Sequence, residues 1–273
     1  MSASPVRIAA IADLHIRTNQ DLSPLQRALR GIQNDADVLL IAGDLTDMGR
    51  LVEMEQLAEV LEQVSIPIFA ILGNHDRRNV RRSAQIRVLR DIGVRVLDAS
   101  GVLVKLPGDR TLAIAGSTGT GGGFRAGSEE FGGGVRFTRA VMMKSRRESA
   151  RLRKVLSHLR QQDPDMLVVM THFTPTPTTL GSEPPLKYWM LGNALLGTTI
   201  DEFSPTLVIH GHAHLGNEVG ATDAGVPVRN VALQVTQGIR LLSLRADGTV
   251  ESTGLRPIAG MEHETSVRES DIR

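Results

Sequence analysis

The chain contains no cysteine. A disulfide framework, a thiolate nucleophile and a zinc–thiolate site are therefore excluded. Aromatic residues are scarce at 3%, with one tryptophan, Trp189, and one tyrosine, Tyr188. No apolar stretch approaches the roughly 20 residues that a membrane-spanning helix needs. Lysine is almost missing too: Lys105, Lys144, Lys154 and Lys187 stand among 31 cationic residues. Net charge is only +1, so no broad basic surface advertises a nucleic-acid partner. The first residues lead at once into an apolar run, which a signal peptide would have to consume. A cytoplasmic protein is the expectation.

What is present is a chain of 273 residues, 41% hydrophobic, long enough for one large domain. Short apolar runs at 6–12, 38–42 and 66–72 read as buried strands. Between and after them, 23–33, 51–63 and 80–92 carry helical spacing, the first with Ser23-Pro24 at its start. This β-α-β-α-β order marks a largely parallel sheet covered by helices. Alternating runs near 94–98, 102–106 and 111–115 predict a second sheet, which runs near 226–232, 238–245 and 249–255 would complete. Two further buried strands are expected at 166–170 and 206–209. Residues 116–134 hold nine glycines and read as a mobile surface loop, with an active-site lid as the alternative. An Arg- and Lys-rich helix follows at about 140–162. One domain over 1–256 and a loosely held polar tail over 257–273 is the expected organisation.

Five motifs close apolar runs in a fixed order. They are Asp13-Leu14-His15, Gly43-Asp44-Leu45-Thr46-Asp47, Gly73-Asn74-His75-Asp76, Thr171-His172 and His210-Gly211-His212-Ala213-His214. Sites in open α/β sheets form beyond the carboxyl ends of strands, and each motif falls at such an end. Of eight histidines, six lie in these motifs; only His158 and His263 fall elsewhere. Carboxylate, amide and imidazole ligands together suit a pair of divalent ions. Residues two apart on an extended strand share a face, so Asp13 and His15 can meet one ion. Glycine before a ligand allows a sharp turn and close backbone approach.

In this order and spacing the motifs resemble those of the calcineurin-like metallophosphoesterase family, over roughly residues 6–255. The resemblance implies an α/β fold: a four-layer αββα sandwich of two mixed β-sheets flanked by helices. It implies two divalent ions, with Mn, Fe or Zn expected. Asp13, His15, Asp44 and His214 would hold the first. Asp44 would bridge to the second, joined there by Asn74, His172 and His212. His75 resembles the acid that protonates the leaving oxygen, and Asp76 would orient its ring. The implied reaction is hydrolysis of a phosphomonoester or phosphodiester by attack of a metal-bridging hydroxide.

Departures narrow the class. Protein Ser/Thr phosphatases of this superfamily carry Asp-Arg-Gly after the second motif and Glu after Asn-His; here Met48 follows Asp47, and Asp76 follows His75. The expected partner is a small-molecule phosphoester, nucleotides included, with a homo-oligomer left open. Asp47 is either a turn-former or a support for its neighbours. His210 is expected to be buried beside the centre rather than a ligand. Trp189 is expected to pack beneath the Pro-rich stretch that follows His172 or at a subunit contact, with stacking of a base or aromatic alcohol as the alternative. A non-catalytic scaffold of the same fold is the alternative, against which the retention of every ligand and of His75 speaks.

Overall fold

The computed structural model describes residues 4–79, 82–124 and 135–261. The first half runs β1 (Val6–Ile11), α1 (Ser23–Leu29), β2 (Val38–Ala42), α2 (Leu51–Leu61), β3 (Ile68–Ile71), α3 (Arg82–Asp91) and β4 (Arg95–Val96). It continues with β5 (Ser100–Leu106), β6 (Arg110–Ser117), α4 (Val135–Arg160), β7 (Met166–Thr171), α5 (Tyr188–Leu191) and α6 (Ala194–Asp201). It closes with β8 (Leu207–His210), β9 (Val219–Ala221), β10 (Pro227–Asn230), α7 (Leu233–Thr236), β11 (Gly238–Leu244) and β12 (Val250–Pro257).

Two six-stranded sheets result, in the orders β12-β11-β1-β2-β3-β4 and β5-β6-β7-β8-β10-β9. Each is mixed. In the first, β1, β2, β3 and β4 run parallel, while β11 and β12 add antiparallel pairs beside β1. In the second, β6, β7, β8 and β10 run parallel between antiparallel edges β5 and β9.

Away from their ends the central strands are almost wholly apolar, Arg7 of β1 apart, because both faces are covered. Their two-residue period divides them between separate cores. Ile8, Ala10, Leu40 and Ala42 join Ile114, Val168 and Ile209 between the sheets. Ala9, Ile11, Leu39 and Ile41 pack instead with Leu25, Met54, Leu57 and Leu89 of the first three helices. Leu167, Val169 and Val208 meet Leu152 and Leu156 of α4 and Ile200 of α6. The layers are therefore helix, sheet, sheet, helix, as expected.

Three expectations are corrected. The runs at 238–245 and 249–255 do not complete the second sheet; they form β11 and β12 and extend the first, as does β4. Alternation within a strand does not say which sheet it will join, and β1 offers an unpaired edge that β11 fills. The tail does not begin at 257: Ile258 and Met261 are buried in the first core, and the Ile258 N–H donates to the Gln237 carbonyl at 3.0 Å. Residues 262–273, the rest of that tail, lie outside the described residues. Of the glycine-rich segment, 125–134 lies outside them as well, while Thr118–Gly121 is buried rather than a surface loop. Among the described residues no helix is long and apolar enough to cross a membrane.

Leu40 is fully buried between the sheets. Leu40→Ala should cost about 2–5 kcal/mol of unfolding free energy, read by denaturant titration. Leu186→Ala, at a residue 86% exposed, should stay within about 0.5 kcal/mol. Similar values for both would contradict a core between the sheets.

Candidate metal centre

The five motifs meet at one end of both sheets, beyond β1, β2, β3, β7 and β8. The backbone gets them there by unusual turns. Asp13, His15, Asp44 and His212 all have positive φ, at 58°, 44°, 49° and 70°. Non-glycine residues held there cost on the order of 1–3 kcal/mol each, and such strain concentrates at functional sites. Asp13 and His15 thus converge through two left-handed residues beyond the end of β1, not through the extended strand that their spacing suggested.

Glycine is required beside the candidate ligands for close approach. A Cβ at Gly73 would collide with the Asp44 carboxylate and backbone, and one at Gly211 with the Asp13 carboxylate. Short hydrogen bonds then lock the loops together. Asp13 Oδ2 accepts the His212 N–H at 2.9 Å. Asp44 Oδ1 accepts the His75 N–H at 2.8 Å.

Three triads have ligand atoms all within 4.8 Å of one another: Asp13, His15 and His214; His15, Asp44 and His75; Asp44, His172 and His212. In the first, His214 Nε2 lies 3.0 Å from Asp13 Oδ1, and His15 Nε2 lies 3.7 Å from it. The two ring nitrogens, His15 Nε2 and His214 Nε2, face each other at 3.4 Å. On the other side, His172 Nε2 lies 3.2 Å from Asp44 Oδ2 and 2.9 Å from Asn74 Oδ1. His172 Nδ1 donates to the Ala42 carbonyl at 3.0 Å, which aims Nε2 inward. His212 Nε2 donates to the Met190 carbonyl at 3.2 Å, leaving Nδ1 its lone pair.

Asp44 is the shared corner. Its Oδ2 is buried and accepts no hydrogen bond of good geometry. Around it stand His172 Nε2 at 3.2 Å, His15 Nε2 at 3.8 Å and His75 Nε2 at 4.0 Å. A buried carboxylate oxygen without a donor is costly, unless a cation completes its surroundings.

Protonation follows this geometry. Burial alone would raise the Asp13 carboxyl, but the His214 ring beside it brings it down to about 2. Burial opposes Asp44 as well, and the His172 charge holds it well below the usual carboxylate range. Burial would lower His172, but Asp44 raises it to about 9. His214 is raised against burial by Asp13. Burial brings His15 down to about 4 and His212 to about 3. His172 and His214 are thus shifted toward their protonated forms beside the two carboxylates, while His15 and His212 keep open lone pairs. The donor set of carboxylates, imidazoles and one amide fits divalent ions.

Every predicted ligand side chain reaches this centre. Asp76 does not do what its position suggested. Both its oxygens are taken by the Leu45 N–H (3.2 Å), the Thr46 N–H and hydroxyl (2.8 and 2.7 Å) and the Gly73 N–H (2.8 Å). It ties the Asp44 loop to the Asn74 loop and leaves the His75 ring alone. The residue that sequence reasoning left undecided, Asp47, stands at that ring. His75 Nδ1 donates to the Asp47 carbonyl at 2.8 Å, with Asp47 Oδ1 3.5 Å away. The same Oδ1 is the nearest carboxylate oxygen to His15 Nδ1, at 3.8 Å. The Asp-x-x-Asp spacing was the available signal. His210 is buried as expected, its Nδ1 donating to the Gly211 carbonyl (2.7 Å) and its Nε2 paired with the Thr179 hydroxyl (2.8 Å). Trp189 lies half-buried in α5, its carbonyl accepting the Gly122 N–H at 2.7 Å.

The calcineurin-like phosphoesterase family model matches residues 6–216, and the chain belongs to that family. A probable cyclic nucleotide phosphodiesterase of Synechococcus sp. is 34% identical over 89 residues, covering 28% of this chain and 33% of the relative. The matched region is thus about a third of that relative's length. Among solved structures, the phosphopantetheinyl hydrolase of Mycobacterium tuberculosis superposes with a TM-score of 0.60 at 17% identity, over 85% of this chain and 90% of that one. A calcineurin-like phosphoesterase of Bacillus subtilis gives 0.55 at 12%, over 94% and 92%. A purple acid phosphatase from yellow lupin gives 0.52 at 12%, over 92% and 53%. At these identities the likeness is one of fold.

Two outcomes are expected. Asp44→Asn should lower metal content in both halves of the centre at once, measured by elemental analysis after dialysis against Mn²⁺; loss of half the metal would contradict a shared corner. Because metal needs a neutral His172 nitrogen, binding below about pH 9 must displace its proton. Affinity should therefore rise with pH from neutrality and level off above that value. Calorimetry in buffers of different ionisation enthalpy would read the released proton, and a flat profile would contradict the assignment.

Proposed function

We propose that this chain is a dimetal phosphoesterase that hydrolyses a phosphomonoester or phosphodiester. Asp13, His15, Asp44 and His214 would hold one divalent ion and Asp44, Asn74, His172 and His212 the other, with Mn, Fe or Zn suited to these donors. The observation that carries the proposal is the buried Asp44 Oδ2, which accepts no well-formed hydrogen bond and stands between two sets of candidate ligand atoms. When bound, two such ions lower the pKa of water toward neutrality and neutralise phosphoryl oxygens.

The chain itself supplies the proton side of the reaction. A P–O bond to water forms, the P–O bond to the alcohol breaks, and the departing oxygen takes a proton. His75 is built to give it. Its Nδ1 is committed to the Asp47 carbonyl, so Nε2 is the nitrogen that faces the centre, 4.0 Å from Asp44 Oδ2. Asp76 acts one step back, holding the Asp44 and Asn74 loops at fixed separation. The similarity to a probable cyclic nucleotide phosphodiesterase supports diesters, nucleotides among them, as candidate substrates.

His75→Ala should leave metal content unchanged and lower turnover by roughly 10²–10⁴. The loss should be larger for alkyl phosphates than for nitrophenyl phosphates, whose leaving group scarcely needs a proton. Equal losses on both would remove His75 as the acid. A metal-loaded wild-type protein inert toward a broad phosphoester panel would favour the non-catalytic scaffold.

A further inference from the structure

Arg78 occupies the nitrogen that His75 would use. Its Nη2 donates to His75 Nε2 at 3.0 Å. Its Nη1 reaches only the Met48 sulfur, at 3.8 Å. The side chain is exposed, and among the described residues it has no carboxylate partner. Its neighbours differ. Arg77 is paired with Asp98 at 3.5 Å and donates to the Thr118 hydroxyl at 2.6 Å. Arg17, on the same flank of the centre, is paired with Asp47 at 3.1 Å. Arg82 is paired with Asp98. Arg78 is thus the one unpaired guanidinium in this group, and it touches the centre.

The hydrogen-bond roles are exclusive. A guanidinium can only donate. With Nδ1–H given to the Asp47 carbonyl, His75 Nε2 must present a lone pair to Arg78. The same nitrogen cannot at that moment give a proton to a leaving oxygen. When substrate places its leaving oxygen at Nε2, Arg78 has to let go of the ring, and its fork of donors is then free beside the departing group. An unpaired arginine fork binds carboxylate or phosphate in bidentate fashion.

We infer that Arg78 is a specificity-determining residue that receives an anionic group on the leaving-group side. The favoured substrates are phosphoesters whose departing alcohol carries a carboxylate or a second phosphate close to the scissile oxygen. This inference rests on the phosphoesterase reading above. The His212 side of the centre differs in character: Phe173 packs on the His212 ring at 4.4 Å, and exposed Met190 accepts from His212 through its carbonyl. That side suits an apolar or neutral group, so the centre has a cationic and an apolar side.

Hydroxyethyl phosphate, phosphoglycolate and ethylene bisphosphate form a matched series with a neutral, a carboxylate and a phosphate leaving group; their methyl diesters extend it to diesterase activity. The Mn²⁺-loaded protein should show a lower KM for the two anionic members. Arg78→Met should raise those two KM values roughly tenfold to a hundredfold and that of hydroxyethyl phosphate far less, with Arg78→Lys recovering part of the loss. Whichever anionic member loses more identifies the group that Arg78 meets. An equal rise across the series would overturn the inference by placing Arg78 on the transferred phosphoryl group, as would no rise at all. Calorimetric binding of phosphoglycolate and hydroxyethyl phosphate to the Mn²⁺-loaded His75→Asn protein, with and without Arg78→Met, reads the same discrimination without turnover. An inert wild-type enzyme would then count against the phosphoesterase reading while binding still decides Arg78.

Discussion

One buried carboxylate organises this molecule's functional end. Asp44 is held at positive φ, out of contact with water, with one oxygen committed to the His75 backbone and the other facing three imidazoles. Removing one partner from a buried charge pair typically costs about 3–5 kcal/mol, so Asp44 and His172 depend on each other. The loops around them are arranged to keep that charge in place. Gly73 admits the carboxylate, and Asp76 braces the two loops on either side of it. Divalent cations held between these donors would balance the two carboxylates.

The fold supplies the place for this cluster. Parallel strands from two sheets end at the same level, so their loops can share one site although they lie far apart in sequence. Three apolar cores, divided by the two-residue period of the strands, hold the sheets rigidly. That rigidity supports the four left-handed residues that aim Asp13, His15, Asp44 and His212 inward. The α5 segment adds a cover from the second sheet's side, since Met190 holds His212 and Trp189 holds Gly122.

Most of this was legible in the residues. Apolar runs closed by Asp, Asn or His located the strands and their polar ends, because a fully buried strand must be apolar and the candidate ligands must lie beyond it. Two kinds of information were not local. Sheet membership of β11 and β12 depends on which strand edge lies open after collapse, and alternation carries no record of that. Side-chain partnership depends on turn geometry: Asp76 follows His75 in sequence, yet the helical turn that begins there points its carboxylate back at Thr46 and Gly73. Asp47 lies 28 residues away from His75 and becomes its neighbour. Arg78 carries no signal in the sequence either, being one arginine among many; only its contact with the His75 ring sets it apart.

In the proposed centre Asp44 joins two cation sites. Anomalous X-ray scattering from crystals of the Mn²⁺-loaded protein tests it directly. Two peaks should appear, one on each side of Asp44 Oδ2, separated by roughly 3.5–4 Å, with Asp13, His15 and His214 around one and Asn74, His172 and His212 around the other. A single peak, or two that do not share Asp44, would contradict it.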